Sequence, residues 1–571
     1  MQQRVFNFLK ALKRLNQGQL LIVLLLLWLL LNLIQAALTG VIYDESYYFH
    51  YSRNLDWGYY DHPPVVALMV RLSSLLFDGG LSVRFVTVVL QIFTIAFIWK
   101  TAEDQLVHNN NLIRFFAIIS SVVMFVVYGF ITTPDSPLLF FTALLLYAYK
   151  RFLANDSWGN SLLLSLSMAG LVYSKYHGGL VILLLICSNP RLLLNYKFWI
   201  SGITALLLYL PHMIWQFENG LPSFKYHTTG RSRPFRINYL LEYLPGQALS
   251  FNPFIFFITL WILFIKKPKD LLFRSFHYII AGMILFFWIS TLRGHAQPQW
   301  TIAASVPIII LVYYHTGRDD KLEWFLRKFV YPTIPVLFIL RILLSFNNLP
   351  IGIEFYNKEQ WANDLSKIAG DRVLVFKDGY QKPSLYSFYT GKEATVINSV
   401  YYRKTQHDLH NYNQLFAGKK AAIVTDSTDK KSIPFTLSSN ETIYVRFVDN
   451  LVIGSGIRIN IIDFPKKIAR DSLCTLSAEL VNNGNGRFCF ENINEPLSFH
   501  FVVKNKDLRV SLVATPHTTP NILNPGESYQ TSFTFKIPSD FPKGKARCRV
   551  SLKVPPFGEG YNGEQKIVLI D

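Results

Sequence analysis

Charge is in short supply in this chain. Lys, Arg, Asp and Glu make up 16% of its 571 residues, against 51% hydrophobic and 15% aromatic residues. That balance excludes a wholly soluble protein. Several long apolar runs with charged punctuation indicate a polytopic membrane protein with a soluble part. Acidic residues are scarcer still: 37 Asp and Glu against 56 Lys and Arg leave a net charge of +19. No nucleic-acid motif accompanies the excess, and many of the cations sit in short loops between apolar runs, where they report topology. Internal repeats are also lacking, which argues against a transporter built from duplicated halves. Cysteine is rare: of four, Cys474, Cys489 and Cys548 fall in the C-terminal part, so at most one bridge forms there. Cys187 lies in an apolar run and reads as a small core residue. No small-residue cleavage signal follows the basic N-terminus (Arg4, Lys10, Lys13, Arg14), so the first apolar run reads as a retained anchor.

That run, Leu20 to Leu38, has about the length needed to cross a bilayer. Val65 to Phe77 is apolar but short and contains Arg71, which suits an interfacial helix. Further spans are expected at roughly 81–99, 113–130, 137–150, 161–174, 178–188, 198–215, 253–265, 276–292, 301–314 and 329–346, about eleven crossings in all. The basic loops at 100–114, 150–151, 191–197, 266–274 and 318–328 share one side with the N-terminus, which is cytoplasmic by the positive-inside rule. An odd number of crossings puts everything after residue 346 outside. The expected organisation is a transmembrane domain at 1–346, an α/β module at 347–454 and an immunoglobulin-like β-sandwich at 455–571.

Polar groups collect on the outer side. Asp44 and Glu45 follow the first span, in an aromatic loop running on to Asp61-His62-Pro63-Pro64. Thr133-Pro134-Asp135 joins two spans, Lys175-Tyr176-His177 sits at a break between two short ones, and 216–236 is a long loop with His227, Arg231 and Arg233. Arg293 closes another span. The positive-inside rule predicts few cations here, and a phosphate at the outer leaflet would account for them through charge-assisted hydrogen bonds. Singly, each cation reads as a snorkelling side chain. Together with the carboxylates they read as one site.

These motifs, in this order and topology, resemble the GT-C membrane glycosyltransferases, nearest the protein-mannosyltransferase-like group that includes the aminoarabinose transferases acting on lipid A. The resemblance covers roughly residues 15–350; the module after it, with Phe388-Tyr389-Thr390-Gly391, is similar to an outer domain of that group. It implies an inverting transfer of a sugar from a polyprenyl-phosphate carrier to a lipid A-type glycolipid, a glycan or a protein hydroxyl. It implies a multi-pass protein of the bacterial inner membrane with its C-terminal domains in the periplasm, among membrane lipids and without nucleic acid. Asp44 matches the general base, Glu45 its neighbour in the motif, and Asp135 a second acidic position that orients the acceptor or the basic groups. Asp61 matches a metal-binding position, with His227 as the candidate second ligand of a divalent ion such as Mg, Mn or Zn. His62 replaces a lysine, and is grouped with Lys175, Tyr176, Arg231, Arg233 and Arg293 as phosphate- or substrate-binding. A single base suffices, because a charge-neutralised polyprenyl phosphate leaves without a protonating acid. The alternative is a polyprenyl-linked glycolipid transporter or flippase.

Overall fold

A computed structural model of the chain describes residues 15–103, 111–230, 235–346, 354–491, 495–505 and 508–571. The chain divides into two compact units, Met1–Tyr356 and Asn357–Asp571.

The first unit is helical. Its opening helix, Gln17–Leu38, starts at a capping box: Gln19 N donates to Asn16 Oδ1 at 2.9 Å and Asn16 N to Gln19 Oε1 at 3.1 Å. Beyond the cap the helix is apolar on nearly every side, with Leu26, Leu30 and Ile34 exposed as lipid-facing residues would be. Its few polar residues turn inward. Trp28 Nε1 and Asn32 Nδ2 donate to Gln91 Oε1 at 2.9 and 2.7 Å, and Arg341 Nη2 donates to Asn32 Oδ1 at 2.7 Å. Lipid offers no hydrophobic drive between helices, so such bonds, about 1 kcal/mol each, help fix which helices adjoin.

Among the described residues, five helices are long and apolar enough to cross a bilayer: Gln17–Leu38, Leu81–Ala102, Asp135–Ala154, Tyr196–Glu218 and Leu271–Arg293. Ile237–Phe251 and Pro253–Ile265 make a sixth if taken as one broken span, bent by 105°. Pro253 ends the first half by disfavouring helical geometry at Asn252, which takes φ 73° and caps the second half. The other expected spans appear as shorter helices, including Trp158–Ser174, Gly178–Ser188, Ser305–Thr316 and Thr333–Leu344. Helix Ile237–Phe251 was not anticipated, because Glu242, Pro245 and Gln247 interrupt its apolar pattern. The expected loop at 216–236 is instead largely structured: a helix to Glu218, a turn at Pro222–Lys225 and a π-turn at Tyr226–Gly230. Cys187, expected in the core, lies on an exposed helix face.

The second unit opens with an α/β sheet of order β2-β1-β3-β5-β4, formed by β1 Val373–Lys377, β2 Ala394–Ile397, β3 Ala421–Thr425, β4 Ile433–Thr436 and β5 Thr442–Val448. β1 pairs in parallel with both neighbours, and Leu374, Val375 and Phe376 are all buried, as a strand covered on both faces requires. Two further sheets follow. One has the order β12-β14-β8-β6 (Thr515–Pro516, Ser528–Lys536, Leu473–Asn482, Ile457–Ile461). The other runs β11-β10-β15-β16-β7 (Leu508–Val513, Ser498–Asn505, Gly544–Lys553, Lys566–Ile570, Lys467–Ile468), with β9 Phe488–Cys489 and β13 Ile522–Leu523 pairing separately. Alternate residues of the two large sheets, such as Leu476, Ala478, Phe499, Phe501, Phe533 and Val550, share one core. All four cysteines are free thiols. Burial raises the Cys548 thiol to about 12.

Candidate active site

The Asp44-Glu45 stretch is not a loop. Tyr43–Arg53 is helical, with both carboxylates in its first turn, and Glu45, Ser46, Tyr47, Tyr48 and Tyr51 are buried. The loop expectation is corrected by burial: from Glu45 to Ser52 no residue is exposed, and a helix satisfies the buried backbone. The two neighbouring carboxylates part company. Asp44 is half-buried at the helix N-terminus, where the backbone dipole favours negative charge. Glu45 is 0% exposed and enclosed by donors.

Arg84 is its partner, and sequence reasoning passed over it. Arg84 Nε and Nη2 donate to Glu45 Oε1 and Oε2 at 2.7 and 2.5 Å. The same guanidinium donates to the carbonyls of Ala36 (3.1 Å), Thr39 (2.6 Å) and Gly40 (2.8 Å), while Thr132 N donates to Glu45 Oε1 at 2.9 Å. One buried ion pair therefore joins four segments: the end of the first span, the Tyr43–Arg53 helix, the Leu81–Ala102 helix and the turn before Asp135. The available signal was a lone arginine near the start of an apolar run, where an unpaired charge is expensive.

The turn leads into Asp135, the first residue of its helix. Lys175 Nζ donates to Asp135 Oδ1 at 2.7 Å, both side chains being nearly buried. Lys175 is placed by the break between Trp158–Ser174 and Gly178–Ser188, and a Cβ on Gly178 would come within 2.5 Å of the Leu171 carbonyl, so glycine permits that break. The Tyr128 phenol lies in the field of both Asp135 and Asp44.

A second cluster borders the first loop. Tyr51 donates to Asp61 Oδ1 at 2.5 Å and stacks on Tyr59 with ring centroids 4.2 Å apart. Burial, then the Asp61 charge, raise the Tyr51 phenol well above its ordinary range. His227 Nε2 donates to the Asp61 carbonyl oxygen at 3.2 Å, so it meets the main chain of Asp61. His62 packs edge-on to Tyr48. His212 Nδ1 donates to the Trp57 carbonyl at 2.7 Å, which leaves Nε2 to accept from Tyr176 at 3.1 Å. Gln216 Nε2 donates to Tyr176 Oη at 3.0 Å and to Ser223 Oγ at 2.8 Å. His212 and Gln216 are thus further site-building residues that the sequence did not single out.

Of the other expected residues, Arg293 is exposed at the end of a 3-10 turn. Among the described residues it makes no ion pair with the groups above. Arg231 and Arg233 lie outside the described residues. For a divalent metal, Asp61 and His227 are adjacent, but among the described residues no group of three or more His, Cys, Asp or Glu could hold an ion. Among the described residues, Asp61 and His227 are two donors, fewer than the three or more protein ligands such an ion commonly takes.

Residues 61–215 match the family described as dolichyl-phosphate-mannose-protein mannosyltransferase. The lipid A galacturonosyltransferase RgtD of Rhizobium johnstonii is 24% identical over 297 residues, covering 48% of this chain. The chain spans 60% of the length of that relative. ArnT from Cupriavidus metallidurans bound to undecaprenyl phosphate shares the fold with a TM-score of 0.56 at 14% identity, over 74% of this chain and 97% of ArnT. Its apo form gives 0.55 at 13% over the same shares. By sequence over part of its length and by fold, the chain is similar to the GT-C group of ArnT-like and protein-mannosyltransferase-like glycosyltransferases.

Proposed function

We propose that the chain transfers a sugar from a polyprenyl-phosphate carrier to a glycolipid of the lipid A type, with inversion at the anomeric carbon. The observation that carries this reading is the Lys175–Asp135 ion pair, 2.7 Å long, at the end of the turn whose Thr132 amide the Glu45–Arg84 pair ties to the Asp44 helix. Asp44 is the half-open carboxylate of the Asp44-Glu45 stretch and accepts the proton of the acceptor hydroxyl as its oxygen attacks. Asp135 is neutralised by Lys175 and positions that cation, which offers charge to the departing phosphate. Arg231, Arg233 and Arg293 are proposed as further phosphate contacts. The buried Tyr51–Asp61 and Tyr176–His212 networks are proposed to shape a wall of the site.

The same reading places the protein in the inner membrane with about eleven crossings, its domains at 1–346, 347–454 and 455–571, and the last two in the periplasm. Support comes from the lipid A galacturonosyltransferase likeness and from the solved fold with undecaprenyl phosphate bound. The test is turnover by purified protein with a panel of polyprenyl-phosphate sugars and lipid A. Asp44→Asn removes the proton acceptor and keeps the shape. It is expected to lose roughly a hundred- to ten-thousand-fold in rate while still binding donor. Near-normal turnover by this variant would overturn the assignment.

A further inference from the structure

The two sheets of the sandwich carry unequal charge. In the sheet β11-β10-β15-β16-β7 every strand contains Lys or Arg, and none of its residues is Asp or Glu. Because Phe499, Phe501 and Val503 of β10 and Ala546, Cys548 and Val550 of β15 point into the core, Lys504, Lys545, Arg547 and Arg549 occupy the opposite face. The register aligns them. Arg509 pairs across from Lys504, and Lys504 from Arg547; one row over, Lys545 pairs with Leu569 and Leu569 with Lys467.

Like charges directly opposite one another destabilise a sheet. A lysine on an edge strand guards against edge-to-edge pairing, but β10 and β15 are interior strands with no edge to protect. The alignment of like charges costs stability. Arg509 of that row, and Arg549 on the same face, are also held in place. The Arg509 guanidinium donates to the Val400 carbonyl at 2.6 Å and lies 5.2 Å above the ring of Tyr401, itself 51% exposed. Arg549 lies 4.6 Å above Tyr561, and Lys404 approaches the same ring at 5.2 Å. Cations fixed over aromatic rings lose little freedom on binding an anion.

We propose that this face binds an anionic saccharide: a chain of sugars bearing carboxylate or phosphate groups. Cations one strand apart recur about every 4.8 Å, close to the length of one pyranose unit, so successive charged sugars meet successive strands. The exposed Tyr401 ring at the end of the row offers a platform for the apolar face of a sugar. A bare lipid headgroup surface would use neither feature. The site is separate from the transfer chemistry, and its failure would leave that reading standing.

The test is titration of the full-length protein, in nanodiscs of neutral lipid, with oligogalacturonate. Maltooligosaccharide serves as the uncharged comparator and dihexanoyl-phosphatidylglycerol as the headgroup comparator. Oligogalacturonate is expected to bind, maltooligosaccharide not to, and added salt to weaken the binding. Lys504→Gln and Arg547→Gln are each expected to weaken it about tenfold without lowering the melting temperature. Tyr401→Ala, at an exposed position, gives a second variant that does not depend on the sheet tolerating new residues, and it too should bind more weakly. Equal binding by wild type and all three variants overturns the proposal. So does binding of the short phospholipid without binding of oligogalacturonate.

Discussion

Asp44 and Glu45 are chemically alike and adjacent, yet their surroundings give them different work. Asp44 keeps an open side, while Glu45 is spent on Arg84. Loss of function should therefore separate from loss of stability. Glu45→Gln leaves the buried Arg84 charge without its counter-ion, and removing one partner of such a pair typically costs about 3–5 kcal/mol. The variant is expected to melt earlier and lose activity in parallel, whereas Asp44→Asn loses activity alone. Combining Glu45→Gln with Arg84→Met removes both charges and should recover part of the melting temperature. Thermal unfolding of the four proteins at matched lipid content checks this, and an unshifted melt for Glu45→Gln would refute the buried pair.

Among the elements, β10 makes a pH-dependent contribution. His500 on this strand lies between Ser498 Oγ at 2.8 Å and Ser511 Oγ at 2.9 Å, and Ser511 donates to Glu559 Oε1 at 2.8 Å. Burial lowers the His500 pKa from its ordinary 6.5; Glu559 opposes the shift and Lys553 adds to it. The folded state thus binds the proton less well than the unfolded state. Its stability contribution is whole above the unfolded pKa near 6.5 and is lost as the pH falls from there toward the lowered folded value. The second unit is expected to become less resistant to urea as pH drops below about 6.5. His500→Gln should flatten that slope, and an identical slope in the variant would remove His500 as its source.

For the whole molecule the prediction concerns sidedness. In the proposed topology, basic loops on one side of the apolar runs and an odd number of crossings put the C-terminal unit opposite the N-terminus. A reporter active only outside the cytoplasm should be active when fused after residue 356, at the boundary of the two units, and silent when fused near Lys269. The reverse pattern would move the proposed site to the wrong leaflet.

Much of this architecture was legible in the chain itself. Apolar runs announce membrane helices because an unsatisfied peptide group in lipid costs too much for any other spanning structure. Period-two patterns with Asn-Gly and Pro-Gly turns announce the sandwich. The acidic motifs were visible because carboxylates beside a bilayer need a reason. What the run of residues could not settle was the partnering of each charge. Arg84 meets Glu45 across 39 positions and Lys175 meets Asp135 across 40, and no local pattern encodes contacts at that range. Nor could it show that one face of the sandwich aligns Arg509, Lys504 and Arg547, since strand register follows from packing and turns. Local composition decided which segments would be helix, strand or span. Only the tertiary structure decided which of two neighbouring carboxylates is fully buried against an arginine and which stays half-exposed, because burial and pairing are properties of the assembled fold.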